Sequence, residues 1–235
     1  MLIDLHAHSS GISACCRIPF ETALHRTLEH GMDGISLTNH YQKSYIGPDG
    51  TDAFVSRYLA EYHAAHRCGQ QLGCRVFFGI EVTMELYPNV HMLLYGVEPE
   101  FLTRYPDLFD CTQQQLYETV HGSGGVLIQA HPFRNGTTVL EPRWLDGVEI
   151  NCHPLYGNAY APELLQIGRQ ERLPVTCGGD YHADTYRPQC GMYLPEQVCT
   201  PADFRDHLLH APEHRLRIQE PGGQPYTITL KNPLV

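Results

Sequence analysis

Short apolar runs alternate along this chain with longer stretches in which apolar positions recur every three or four residues. The runs fall at residues 2–5, 34–37, 76–82, 91–97, 126–130, 148–151 and 175–177, and the amphipathic stretches at 19–30, 52–73, 112–122, 159–172 and 201–210. The first of these stretches carries Pro19 at its start and Gly31 as its stop, the asymmetry of a helix. Strand-like runs alternating with helical ones predict an α/β fold with a mainly parallel sheet. A short turn around Tyr87-Pro88-Asn89 joins the third and fourth runs and breaks the pattern locally. No repeat, low-complexity tract or linker interrupts residues 1–235, so one domain is expected, its last ~25 residues forming a peripheral C-terminal segment.

The polar residues that follow these runs carry the chemistry. The first run leads into His6-Ala7-His8 and the second into His40, while the third contains Glu81. His91 opens the fourth and His131 closes the fifth; Glu149, Asn151 and His153 close the sixth, and Asp180-Tyr181-His182 follow the seventh. In parallel barrels functional groups gather at the carboxyl ends of strands. One histidine there is ordinary; a possible metal ligand at nearly every strand is a constellation.

Composition narrows the classes. A chain of 235 residues, 42% hydrophobic and 18% charged, can bury a sizeable core and does not read as disordered. Sixteen basic against 26 acidic residues give a net charge of −10 with no Lys/Arg-rich run, which argues against a nucleic-acid or anionic-membrane surface. Lysine occurs only at Lys43 and Lys231, so there is no phosphate-binding Gly-Lys loop. No apolar run approaches the ~18 residues of a membrane span. The nine cysteines are odd in number, and an acidic residue stands at position 4; a soluble cytoplasmic chain is expected rather than a secreted disulfide protein. Cys68, Cys74, Cys111, Cys177, Cys190 and Cys199 form no C-x-x-C pair and read as small hydrophobes.

On a strand, His6 and His8 at i and i+2 point to one face, and Asp4 has the same parity and could orient one of the rings. Glu81 lies inside the apolar run Gly79-Ile80-Glu81-Val82; burying its charge unpaired would cost several kcal/mol, so it needs a cation. With lysine nearly absent, that cation is a metal or an arginine. A carboxylate can bridge two metals about 3.5–4 Å apart, which clamp a phosphate during in-line displacement. Six neutral imidazoles with Glu81 and Asp180 contribute −2, and two or three divalent ions add about +4 to +6. The resulting positive pocket suits a small anionic phosphorylated substrate.

Asp4-x-His6-x-His8-Ser9, Thr38-Asn39-His40, Gly79-Ile80-Glu81, His131-Pro132 and Gly179-Asp180-Tyr181-His182 resemble, in order, the successive motifs of the PHP (polymerase and histidinol phosphatase) family. Val90-His91-Met92-Leu93-Leu94-Tyr95-Gly96 looks most like its stand-alone small-nucleotide phosphatase branch. The resemblance implies a distorted seven-stranded β/α (TIM-like) barrel with two or three divalent ions (Zn, Mn or Fe) at its C-terminal face. It implies a first metal on His6, His8, Glu81 and Asp180, a second on Glu81, His91 and His131, and a third on His40 and His182. There are departures. Asn39 stands where relatives commonly have Asp, and Ser13 and Ala14 stand where they carry a further ligand. Either the third position is empty or weakly held, or the loop brings in one thiolate, from Cys15 or Cys16.

Arg134 and Arg17 are candidates for binding the substrate phosphate, and Asp4 and Asn39 for supporting the ligands from behind. His153 and Glu149 suit similar supporting or pocket roles. Tyr41, Tyr45 and the loop through Asp52 could lid the site. His25, His30, His63, His66, His121, His207, His210 and His214 fall on helical stretches and read as solvated or structural. The leading expectation is a phosphomonoesterase in which a metal-bound hydroxide attacks phosphorus and His40 or His182 protonates the leaving alkoxide. The alternatives are a metal-binding regulatory module without catalysis, a protein-phosphotyrosine phosphatase, and an amidohydrolase-type C–N hydrolase.

Overall fold

In the computed structural model, which describes every residue except Tyr186, the first apolar run becomes β1 (Leu2–Ala7), buried at every position. The chain then alternates through α1 (Phe20–Glu29), β2 (Gly34–Leu37), β3 (His40–Tyr41), α2 (Gly50–Leu72), β4 (Arg75–Phe78), β5 (Ile80–Thr83) and β6 (His91–Tyr95). It continues through α3 (Phe101–Arg104), α4 (Gln113–Gly122), β7 (Val126–Gln129), β8 (Gly147–Asn151), α5 (Ala161–Glu171) and β9 (Val175–Gly178). The last elements are β10 (Gly191–Tyr193), α6 (Pro201–His210), β11 (Glu213–Ile218) and β12 (Tyr226–Lys231). Local chemistry sets the helix ends: Pro19 precedes α1, Gly73 closes α2 in the left-handed region, and a Thr112–Gln115 capping box starts α4. No helix among the described residues is long and apolar enough to cross a membrane.

The described strands form two six-stranded sheets, in the orders β12-β11-β10-β1-β2-β4 and β3-β5-β6-β7-β8-β9. Parallel pairing holds for β1-β2-β4, β3-β5 and β7-β8-β9. The turn around Tyr87-Pro88-Asn89 does join antiparallel strands, and β5, β6 and β7 run antiparallel in turn. The first sheet is also extended antiparallel by β10, β11 and β12. The α/β class holds; the sheets are more mixed than the apolar runs suggest. The C-terminal hairpin adds Leu216 and Ile218 to the core with no exposed surface.

The apolar run at 76–82, continuous in sequence, is two strands. It divides at Gly79, with β4 in one sheet and β5 in the other. A Cβ at Gly79 would lie 2.6 Å from Thr38 Cγ2 and 2.7 Å from Ser36 Oγ, so only glycine lets the chain cross so close to the segment leaving β2. Tyr58 Oη, from α2, bonds the carbonyls of both Asn39 (2.7 Å) and Gly79 (3.1 Å) and locks that crossing. At the other seam the segment leaving β9 runs along the end of β1: Asp180 N donates to His6 O (2.7 Å) and His8 N to Tyr181 O (3.1 Å).

Gly79→Ala is expected to destabilise the chain by about 1–3 kcal/mol through overpacking, read as a lower urea midpoint. An unchanged midpoint would mean that Thr38 and Ser36 move aside freely.

Candidate metal centre

The two seams deliver their side chains to one point. His6 and His8 leave β1 on the same face, and both are fully buried. The β3–β5 register sets His40 directly opposite Glu81, and the β5–β6 hairpin sets His91 opposite Thr83. His131 and Asp180 follow β7 and β9 in left-handed backbone, at φ 31° and 54°. Such conformations cost non-glycine residues of order 1 kcal/mol and cluster at functional sites. His182 completes the set, so all eight candidate ligands named from the sequence converge.

Glu81 is the hub. Its Oε1 lies 2.9 Å from His91 Nδ1, 3.0 Å from His131 Nε2 and 3.4 Å from His6 Nε2. Its Oε2 lies 2.5 Å from His40 Nδ1 and 3.4 Å from His8 Nε2. Asp180 Oδ1 faces His8 Nε2 at 3.1 Å, His182 Nδ1 at 3.2 Å and His6 Nε2 at 3.5 Å.

The hydrogen bonds behind the rings settle which nitrogens face this hub. A carboxylate only accepts, so His6 Nδ1–H donates to Glu149 Oε1 (2.8 Å), leaving the Nε2 lone pair pointed inward. Glu149 is itself held by His131 N and Asn151 Nδ2, each at 3.0 Å from Oε2. For His8 the partner is Ser13. Ser9 N donates to Asn39 Oδ1 (2.7 Å), which identifies that atom as the carbonyl oxygen. Ser13 Oγ therefore donates to Asn39 Oδ1 (2.9 Å) and accepts from His40 N (3.0 Å) and from His8 Nδ1–H (3.1 Å). Asn39 Nδ2 continues the chain to Ser9 Oγ (2.9 Å), which donates to Glu61 of α2 (2.7 Å). Ser13 thus orients the His8 ring from a place where the resemblance implies a further ligand. The only signal in the sequence was its place five residues after His8. Asp4 orients no ring: its Oδ1 accepts the backbone N–H groups of His6 (3.0 Å) and Gly179 (2.8 Å), and burial pushes its carboxyl up to about 7.

Five buried atoms of the hub, His6 Nε2, His8 Nε2, His40 Nδ1, Glu81 Oε2 and Asp180 Oδ1, have no hydrogen-bond partner among the described residues. Orphaned polar atoms are costly singly, and these aim at one another; the donor set fits divalent cations. Without a cation, protons have to serve. Burial opposes charge on His6, yet the carboxylates of Glu149, Asp180 and Glu81 hold it well above the usual histidine value. Against the same penalty, Glu81 and Cys15 carry His40 up to about 10. Burial, with His182 and His40 nearby, keeps His8 well below the usual value, and burial with Arg134 takes His131 to about 4.

A pocket of about 520 Å³ opens over the hub, with Cys15, Arg17, Arg134, His153, Tyr156 and His182 on its wall. Arg134 is fixed there, with Nη1 2.6 Å from Asp180 Oδ2, Nη2 on Asn151 Oδ1, and its guanidinium 3.9 Å from the centre of the Tyr156 ring. The two cysteines part company. Cys15 Sγ is 3.2 Å from His182 Nε2 and 3.8 Å from Tyr45 Oη, whereas Cys16 is buried in the small core beside α1. Tyr41 is no lid residue: it is fully buried, its hydroxyl on Pro106 O at 2.7 Å. Of the helix histidines, His121 pairs with Asp146 at 2.8 Å, and His214, placed by β11 rather than a helix, is buried.

The fold has solved counterparts. A two-domain protein from Bacteroides vulgatus, containing a predicted PHP-like metal-dependent phosphoesterase, matches 99% of this chain with 86% of its own, at a TM-score of 0.63 and 14% identity. PsfC from Pseudomonas syringae matches over 87% of each chain at a TM-score of 0.64 and 19% identity. An amidohydrolase from Chromobacterium violaceum, with bound sulfate and no metal, matches 86% of this chain with 94% of its own, at 0.53 and 14%. At these identities the likeness is one of fold. No protein-family model and no curated protein matches the sequence.

Two outcomes follow from the ligand chemistry. Ser13→Ala, which removes the acceptor for His8 Nδ1–H, should weaken metal binding about 10- to 100-fold in chelator competition; wild-type affinity would remove Ser13 from the account. Because His6 and His40 hold protons at neutral pH without metal, a cation must displace them. Metal affinity should therefore rise from pH 6 to pH 8, with proton release in calorimetry across buffers of different ionisation heat. A pH-independent affinity would contradict this.

Proposed function

We propose that this chain is a metal-dependent hydrolase of small phosphomonoesters, of PHP type. The observation that carries the reading is the Glu81 carboxylate, buried and shared among five imidazoles. Oε1 faces His91, His131 and His6, and Oε2 faces His40 and His8, so both oxygens are engaged, as a bridging ligand requires. In this reading His6, His8 and Asp180 complete one position with Glu81, and His91 and His131 complete another. His40 and His182 hold the third, with Cys15 rather than Cys16 supplying its missing ligand. Divalent Zn, Mn or Fe held there would supply Lewis acidity toward a phosphoryl oxygen and would acidify a water. The protein's own groups do the rest. Arg17 and Arg134, on the pocket wall, bind the outer phosphoryl oxygens, and Asp180, Asn151 and Tyr156 keep Arg134 in place. His182 Nε2 faces the pocket beside Cys15; where it is not a ligand, it donates the proton the leaving alkoxide needs. The pocket volume suits a nucleotide- or sugar-phosphate-sized molecule.

The structural likeness to an amidohydrolase favours one other reading, C–N bond hydrolysis at the same centre. No lysine lies between Lys43 and Lys231, so this version would have to work without a carbamylated lysine.

The test is phosphate release from nucleotides, sugar phosphates and amino-alcohol phosphates by chelator-treated protein resupplied with Mn or Zn. Turnover abolished by chelator and restored by metal is expected. Turnover of amides alone would support the second reading, and no turnover of either class would make the centre a regulatory metal site. Cys15→Ser should lower metal content or expose a loosely held ion, with Cys16→Ser unchanged. Equal metal content in both variants, with no metal protection of the Cys15 thiol from alkylation, would remove the cysteine ligand.

A further inference from the structure

Behind the strand end that carries Asp180, three cysteines from three separate segments meet. Cys152 follows β8, Cys177 lies in β9 and Cys190 immediately precedes β10; their exposures are 7%, 0% and 3%. Their sulfurs all lie within 4.8 Å of one another, and Cys152 Sγ is 3.6 Å from Cys177 Sγ. Two thiolates on one tetrahedral zinc, at about 2.3 Å each, stand about 3.8 Å apart, so the pair is already near ligand spacing. Isolated buried cysteines behave as small hydrophobes, but here the sulfurs also have polar surroundings. The Gln219 N–H donates to Cys152 Sγ at 3.3 Å, and the Cys177 thiol donates to Arg217 O at 3.3 Å, a bond it gives up when it binds a cation as thiolate. A cavity of about 200 Å³ opens on Cys152 and Cys190, with Arg187, Gln219 and Glu220 on its wall.

We propose that Cys152, Cys177 and Cys190 form a second cation site, distinct from the Glu81 centre, for a thiophilic d10 ion, Zn²⁺ or Cu⁺. The three sulfurs meet there whether or not the chain is a phosphoesterase. Thiolates select these ions, whereas the imidazole and carboxylate donors of the other centre also accept Mn²⁺ and Fe²⁺, so the two sites differ in metal preference. Binding releases the three thiol protons to solvent and involves no change of oxidation state. With Zn²⁺ the site carries a net −1, toward which the Gln219 N–H is the nearest donor, and Cys152 and Cys190 are the two sulfurs that border the cavity. The consequence is structural. β8 and β9 belong to one sheet and β10 to the other, so an ion on these three sulfurs staples the seam. It also braces the strap next to the hub: a Cβ on Gly179 would lie 3.3 Å from Cys190 Sγ and 2.6 Å from Asp4 Oδ2, and Asp180 is the next residue.

The experiment uses the reduced 235-residue chain carrying Cys15→Ser, so that the thiol nearest the other centre is gone. Co²⁺ is the first probe, and near-ultraviolet thiolate-to-cobalt absorption is expected. It should vanish in the further variants Cys177→Ser and Cys190→Ser while the visible cobalt bands of the His-rich centre persist. In parallel, on the unmutated chain, Zn²⁺ or Cu⁺ should slow alkylation of Cys152 and Cys190 on the order of tenfold or more by peptide mass spectrometry. That arm needs no variant to fold, and it also shows which of the two ions the site takes. Absence of thiolate–cobalt absorption together with unprotected thiols under both ions would overturn the proposal. So would a Cys152–Cys177 disulfide that forms in the presence of excess Zn²⁺.

Discussion

A carboxylate with no exposed surface, Glu81, has to keep its charge in the middle of this protein. Uncompensated, that burial would cost several kcal/mol, and no lysine is available to it. The compensation is a shell of five imidazoles within 3.4 Å of its oxygens. The histidines in turn need partners behind them, and these come from distant parts of the chain: Glu149 for His6, and the relay from Glu61 through Ser9, Asn39 and Ser13 for His8. Each bond fixes a tautomer, and each tautomer leaves a lone pair turned inward. The result is a cluster that protons alone satisfy badly and divalent cations satisfy well.

The fold tolerates close approach wherever this cluster requires it. Gly79 lets the chain leave one sheet and enter the other beside Thr38, which brings Glu81 opposite His40. Gly178 does the same at the opposite seam, where a Cβ would lie 2.4 Å from His6 Cβ. His131 and Asp180 accept left-handed backbone to turn their side chains inward. Packing and site are therefore not separable at these positions. The glycines that join the sheets also set the distances among the candidate ligands.

Much of this was legible in the sequence because each candidate ligand follows, opens or interrupts an apolar run, and strand ends converge. The pattern brought His6, His8, His40, Glu81, His91, His131, Asp180 and His182 to one end together with Glu149, Asn151 and His153, and the family resemblance separated the two groups. Other features depend on contacts between distant residues, and local pattern cannot show them. The break at Gly79 is invisible in a continuous apolar run, because it is imposed by Thr38 and Ser36. Parity placed Asp4 near the histidines, but its carboxylate serves backbone N–H groups, and the orienting carboxylate is Glu149, on another strand. Cys15 and Cys16 are equivalent in sequence and differ only in which side of a loop faces His182. The three short-range signals of β10, β11 and β12 were too weak to name as strands, since their pairing is set by β1 and by one another.

The central claim is that Glu81 holds its charge by bridging metal ions. The most direct measurement is metal content by elemental analysis of wild-type protein and of Glu81→Gln, which keeps the shape and removes the charge. The account predicts about two or more divalent ions per chain in the wild type and a sharp loss in the variant, with circular dichroism unchanged. Full metal retention by a folded Glu81→Gln chain would contradict it.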